Sequence, residues 1–201
     1  MKVEDRMVRS VVTIGQSASI SDAIKLMKKH SIRHLPVVKG QQFVGWVTAG
    51  DIREAFLASV IEQLTVGDVM IKDPLTISPE ANLEEAAELL HRHRVGGLPV
   101  VVGRRLVGVI TVADIMAAFI EVMGILKESS RIDVILGTNP LAFEEVAKII
   151  RDRRCEIMSV GMSAHQDRKD RIYYLRLSKC DVHAMAKKIQ EAGYQVVSVT
   201  E

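Results

Sequence analysis

The chain has 201 residues, 48% hydrophobic but only 4% aromatic, with 27 Lys and Arg against 25 Asp and Glu. That length holds one large or two small domains, with enough apolar mass to fold without metals or disulfides. The net charge of +2 is spread without a basic stripe, which sets nucleic-acid binding aside, and no apolar run nears the roughly 18 residues of a membrane span.

The charged start, Met1 to Arg9, does not read as a signal peptide, and none is expected. Cys155 and Cys180 form no C-x-x-C and have no His at ligand spacing, so they read as two reduced thiols of a cytoplasmic protein, and no metal is expected.

The first 120 residues repeat themselves at an offset of 63 without a gap. Val3, Asp5 and Met7 fall on Val66, Asp68 and Met70, and Leu35-Pro36-Val37-Val38 falls on Leu98-Pro99-Val100-Val101. Gly45, Thr48, Asp51 and Ile52 fall on Gly108, Thr111, Asp114 and Ile115. A unit this small cannot bury its own apolar face, so two copies should pack about a pseudo-twofold axis.

Each copy opens on a short extended segment, Thr13-Ile14 or Thr76-Ile77. A helix follows, with Ser19 and Asp22, and then Asn82 and Glu85, at capping-box spacing. Ile20, Ala23, Ile24 and Met27 line one face of the first, and Leu83, Ala86, Ala87 and Leu90 of the second. His30 and His93 fall near the helix ends, where a cation suits the dipole.

A hairpin comes next: Leu35 to Val38 with Phe43 to Val47, and Leu98 to Val102 with Leu106 to Ile110. Pro36 and Pro99 predict an edge strand or a strand start. A second helix opens at Thr48, ending near Phe56, and at Thr111, running through Phe119.

The informative segment is Gly45-Trp46-Val47-Thr48-Ala49-Gly50-Asp51, repeated as Gly108-Val109-Ile110-Thr111-Val112-Ala113-Asp114. Two readings compete. Thr followed three residues on by Asp is a helix cap. A carboxylate at a strand end can also grip the vicinal hydroxyls of a ribose, with phosphate at the adjacent helix N-terminus.

With both motifs duplicated in one register, residues 1 to about 121 resemble a cystathionine-β-synthase-type (CBS) domain pair, or Bateman module. The resemblance implies a cleft between the motifs with two symmetry-related sites for an adenosine ligand: AMP, ADP, ATP or S-adenosylmethionine. Carried over by position, Asp51 and Asp114 would hold ribose hydroxyls, and Thr48 and Thr111 would assist at ribose or phosphate. Thr13, Ile14, Thr76, Ile77 and the segments Arg33-His34-Leu35-Pro36 and Val95, Gly97, Leu98, Pro99 would surround the adenine.

The halves are not equivalent: Arg33 and His34, both able to meet phosphate, stand where the second copy has Gly96 and Gly97. Two sites of unequal affinity, or one occupied site, are expected.

From about Ser129 the pattern changes. A strand over Arg131 to Leu136 leads through Gly137-Thr138-Asn139-Pro140 to a helix from Leu141 to Arg153, with Phe143, Val146, Ala147 and Ile150 inward and Pro140 at the helix start. Strands over Glu156 to Ser163 and Arg171 to Leu177 flank a polar turn, His165 to Asp170, and Tyr173 and Tyr174 should face opposite ways. Asp181 caps a helix over Val182 to Ala192, Gly193 ends it, and Tyr194 to Thr200 closes as a strand.

The order βαββαβ is the ferredoxin-like arrangement. It is similar to an ACT domain, which implies a small-molecule effector, often an amino acid, at Gly137, Thr138, Asn139 and Leu141. Dimerisation through side-by-side sheets is the competing use. The succession of parts resembles the acetoin-utilisation B protein family.

The expected fold is therefore α/β (α+β). CBS motif 1 would cover 1–60, motif 2 61–122, a linker 123–130 and the ACT-like domain 131–201. No G-x-S-x-G, H-E-x-x-H or Walker loop is present. The expectation is a regulatory homodimer with no catalytic residues, acting on an unidentified protein. An amino-acid sensor in which the CBS pair mainly dimerises is the alternative.

Overall fold

The computed structural model describes residues 1–40, 42–62, 64–163 and 171–201, without the side chains of 57–62. The chain forms two compact units, Met1–Met116 and Ala117–Glu201.

In the first unit, β1 (Ile14–Gly15), α1 (Ile20–His30), β2 (His34–Lys39), β3 (Gln42–Thr48) and α2 (Ala49–Glu62) make the first motif. After a short turn of helix, α3 (Val66–Val69), come α4 (Leu83–His93), β4 (Gly97–Val102), β5 (Arg105–Thr111) and α5 (Val112–Val122). The unit boundary falls inside α5.

The repeat is written into the backbone. Strand β2 pairs antiparallel with β3, Val37 opposite Gly45, and β4 pairs with β5, Val100 opposite Gly108. Both hairpins carry an irregularity one residue on, at Val37/Val38 and at Val100/Val101. Ile14 pairs parallel with Val37, and Ile77 bridges Val100 the same way.

Each half lends its first residues to the other. Val66 donates its amide to Ala18 O at 2.8 Å and is fully buried in the first motif's core with Ile20, Leu35, Val37 and Val47. Val3 donates likewise to Ala81 O at 2.9 Å. Trp46 and Ile71 exchange both backbone hydrogen bonds, as do Val8 and Val109. The turns at Val3–Asp5 and Val66–Val69 that deliver these segments are too short to show a helical period in sequence.

Gly45 and Gly108 make this exchange possible. A Cβ on Gly45 would stand 2.6 Å from Met70 Sδ and 2.9 Å from Ile71 O; one on Gly108 would stand 2.5 Å from Met7 Sδ and 3.2 Å from Val8 O. Each glycine leaves the space through which the other half's methionine and strand pass.

Some expectations need correction. Pro36 is not at an edge: it is the third residue of β2, which lies between β1 and β3. In the second copy Ile77 donates to Pro99 O and Val101 donates to Ile77 O, so the parallel partner begins past the proline nitrogen, and no N–H is missed there. Helix α2 continues past Phe56 to Glu62. Ser19 caps α1, accepting from Asp22 N at 3.1 Å, but Asn82 makes no side-chain cap, its backbone instead bridging Lys2.

The second unit holds β6 (Ser129–Ile135), α6 (Ala142–Asp152), β7 (Ile157–Met162), β8 (Ile172–Ser178), α7 (Val182–Glu191) and β9 (Gln195–Thr200), in βαββαβ order. The sheet runs β7-β8-β6-β9 with every pairing antiparallel. Ile132, Val134, Leu175 and Leu177 pack on Val146, Ile150, Met185 and Ile189.

Asp181 caps α7 through Ala184 N at 3.0 Å, and Gly193 follows it with φ +91°. Tyr173 packs on the core, while Tyr174 lies under Arg131 on the other face. The inward residue of α6 is Ala142, not Phe143, which is exposed, and Pro140 precedes the helix by two positions. The expected turn over His165 to Asp170 lies outside the described residues.

Free Cys155 and Cys180 share this core, and burial, with the Cys155 thiol beside it, pushes Cys180 up to about 12. No described helix is long and apolar enough to cross a membrane.

Gly45→Ala is expected to lower unfolding free energy by about 1–3 kcal/mol, because a backbone carbonyl cannot move aside as a methionine end can. Urea denaturation measures this, and a loss within about 0.5 kcal/mol would show that the strand exchange tolerates a Cβ.

Candidate functional site

Each hairpin hands its chain directly to a helix. Thr48 closes β3 and Thr111 closes β5, and α2 and α5 begin at the next residue. The Asp51 carboxylate accepts through one oxygen, Oδ2, from both Thr48 N and Thr48 Oγ1 at 2.8 Å. Asp51 N donates back to Thr48 Oγ1 at 3.3 Å. The second copy repeats this: Asp114 Oδ2 accepts from Thr111 N at 2.8 Å and Oγ1 at 2.6 Å, and Asp114 N returns at 3.4 Å.

These are capping boxes, so the helix-cap reading of both motifs is realised. Thr65 and Asp68 form the same box at 2.8 and 2.6 Å on an exposed turn, so the box alone does not mark a binding site. In Asp51 and Asp114 the second oxygen, Oδ1, has no hydrogen-bond partner among the described residues. Each half-buried carboxylate therefore caps its helix and keeps two further lone pairs to accept hydroxyls.

The helix N-termini have fewer spare donors than the sequence suggested. The Thr48 amide is taken by Asp51, the Ala49 amide by Arg33 O at 2.8 Å, and the Asp51 amide by the Thr48 hydroxyl. Val112 N donates in the same way to Gly96 O at 3.1 Å.

Around these motifs, Leu35, Pro36, Leu98, Pro99, Gly97, Ile14 and Ile77 are buried, while Thr13, Thr76 and Arg33 are exposed. Val95 is half-buried, its amide bonded to Leu90 O. Arg92 pairs with Glu88, one helical turn away.

His34 departs from the repeat. Its ring stacks on Trp46 with centroids 5.5 Å apart and planes 23° apart. It reaches across to the second motif: a Cβ on Gly96 would stand 2.9 Å from Nε2, and one on Gly97 3.5 Å from Nδ1. Burial, and then the Arg33 charge, hold the imidazole below its ordinary value of 6.5, against the opposing pull of Asp51.

In the second unit, Gly137 turns with φ +68° and Asn139 Oδ1 accepts from Leu141 N at 3.0 Å. Thr138, Asn139 and Leu141 are exposed. Tyr194 OH donates to Glu145 beside this turn, and that bond, with burial behind it, raises the Tyr194 phenol. Tyr194 and Glu145 lie 49 positions apart, and the sequence pattern did not connect them.

The CBS domain model matches twice, over residues 3–58 and 66–121. The chain belongs to the CBS domain family. It is 36% identical over 115 residues to inosine-5'-monophosphate dehydrogenase from Korarchaeum cryptofilum, covering 57% of this chain and 23% of that enzyme. The chain spans 22–30% of the length of three inosine-5'-monophosphate dehydrogenases that it matches.

Three solved structures share the fold. AcuB from Vibrio cholerae, an acetoin-utilization-type protein, superposes with TM-score 0.57 at 34% identity over 64% of this chain and 97% of its own. The CBS domain pair of protein MJ0100, in complex with 5′-methylthioadenosine and S-adenosyl-L-methionine, gives 0.54 at 30%, over 59% and 95%. CBSX2 in complex with AMP gives 0.54 at 28%, over 60% and 96%.

Thr111→Ala is expected to cost about 0.5–2 kcal/mol of stability through the lost cap, with Thr111→Ser close to wild type; equal stability of the two in urea would contradict the cap. A histidine held low in the fold takes its proton more readily when unfolded, so stability should fall as pH drops through about 6.5. His34→Gln should flatten that slope, and an unchanged slope would show that another group sets it.

Proposed function

We propose that this chain is a regulatory sensor that takes an adenosine ligand in the cleft between its two CBS motifs. The observation that carries this reading is a shared framework: similar CBS pairs are solved with AMP and with 5′-methylthioadenosine and S-adenosyl-L-methionine. This chain carries a half-buried carboxylate with a free oxygen at the same point of each half. AMP, ADP, ATP and S-adenosylmethionine are the candidate ligands.

Asp51 Oδ1 and Asp114 Oδ1 accept the ribose hydroxyls. Thr48 and Thr111 hold each carboxylate in place rather than binding the ligand themselves, since each hydroxyl is already spent on its aspartate. The adenine lies along the backbone of Leu35-Pro36, Leu98-Pro99, Ile14 and Ile77, whose side chains fill the core behind it. The halves bind unequally, because only the first carries Arg33 and His34.

Binding shifts a population between two arrangements of the unit and is read by a partner protein. Helix α5 begins at the Thr111–Asp114 cap, and just beyond its end Met123 O accepts from Ser159 Oγ of β7 at 2.9 Å. A second copy of the chain covers the apolar residues that α2 and α5 expose, among them Phe56, Met116 and Phe119. The two free thiols suit the reducing cytoplasm. No reaction is assigned.

The second reading is an ACT-like effector site in the C-terminal unit, favoured by the cluster of Asn139, Glu145 and Tyr194 at the turn before α6.

Thermal unfolding with each adenosine ligand and with common amino acids separates the two. A ligand at 100 times its Kd adds about 2.7 kcal/mol. A nucleotide shift that disappears in Asp51→Ala combined with Asp114→Ala, while an amino-acid shift survives, supports the first reading. Shifts from amino acids alone would overturn it.

A further inference from the structure

At His34 the two halves of the repeat meet unequally. The ring leaves its own hairpin and lies against the backbone of Gly96 and Gly97, the residues that match Arg33 and His34 in the other half. Side chains at both pairs of positions would collide there: a single Cβ at Gly96 already stands within 3.0 Å of both Nε2 and Cε1. Trp46 backs the ring from the first motif and fixes its plane.

Neither ring nitrogen has a hydrogen-bond partner among the described residues. Both nitrogens of this half-buried imidazole are therefore available to solvent or to a ligand. The charged groups acting on it are Arg33, the residue before its strand, and Asp51 from α2; Trp46 and the two glycines carry no charge.

We infer that His34 selects between classes of adenosine ligand by charge, taking up a proton when the ligand brings a phosphate and staying neutral when it does not. This rests on the cleft reading given above. As imidazolium, His34 donates a charge-assisted hydrogen bond to a phosphate oxygen, with the proton coming from solvent. The same cation repels the sulfonium of S-adenosylmethionine and gains nothing from uncharged 5′-methylthioadenosine. In the free protein, burial and then Arg33 disfavour the imidazolium, and a phosphate beside the ring favours it.

The test compares calorimetric affinities of AMP and 5′-methylthioadenosine for the wild type and His34→Gln, between about pH 5.5 and about pH 8. Taking the wild-type-to-variant ratio cancels the titration of AMP itself. For AMP that ratio should grow as pH falls, by up to about tenfold for each unit by which AMP raises the imidazole. For 5′-methylthioadenosine it should stay flat.

An NMR titration of the His34 ring in the wild type gives the same answer without a variant: its midpoint should move up with AMP and hold with 5′-methylthioadenosine. AMP binding with a flat ratio and an unmoved midpoint would overturn the role of His34 and leave the cleft intact. Absence of binding by both ligands to the wild type would overturn the cleft reading and this inference with it.

Discussion

The first unit depends on an exchange of backbone across the duplicated halves. Each repeat sends its opening residues into the other, so that Met7 and Val8 lie over Gly108, and Met70 and Ile71 lie over Gly45. Val66 completes the apolar core of the first motif. Neither half can be full without its partner, so both hairpins, with the caps at their ends, are held in one cooperative body. The same exchange gives the two strand ends, Thr48 and Thr111, and the caps that follow them matching surroundings.

Much of this was open to sequence reading, for a physical reason. A duplication at a fixed offset shows twice whatever each copy needs, and the Leu-Pro-Val-Val and Gly-x-x-Thr-x-x-Asp segments stand out against a diverged background. The helix faces were legible from their 3.6-residue period, since burial follows it in α1 and α4. The purpose of Gly45 and Gly108 was not legible. A conserved gap between two copies says that a side chain is unwelcome, but not which residue passes through; that partner is 25 residues away from Gly45 and on the far side of the chain from Gly108. Pro36 misled because strand position was judged without knowing where the parallel partner begins, whereas Pro99 does lie in an edge strand.

The candidate site was half legible. Spacing identified Thr48, Asp51, Thr111 and Asp114, and the structure gives each pair a cap with one carboxylate oxygen committed and one free. Local chemistry could not separate cap from clamp, because one carboxylate has two oxygens and can serve both. The identical box at Thr65–Asp68 shows that the cap alone carries no ligand information. In the C-terminal unit the element order was plain from alternation and turn residues. Phe143 and Ala142 exchanged roles because an amphipathic face is fixed only to about one residue when the helix start is uncertain. The meeting of Tyr194 with Glu145 comes from packing α6 beside the turn before β9, which no local pattern encodes.

The near-symmetry also explains why its breaking matters. The space where the halves meet beside Gly96 and Gly97 has room for one side chain, and His34 takes it. Where the sugar of a bound adenosine ligand sits is read directly from a crystal structure of the AMP complex. Ribose hydroxyls are expected within hydrogen-bond reach of the free oxygen of Asp51 or Asp114. Ribose density away from both carboxylates, or a cleft without nucleotide at saturating AMP, would contradict it.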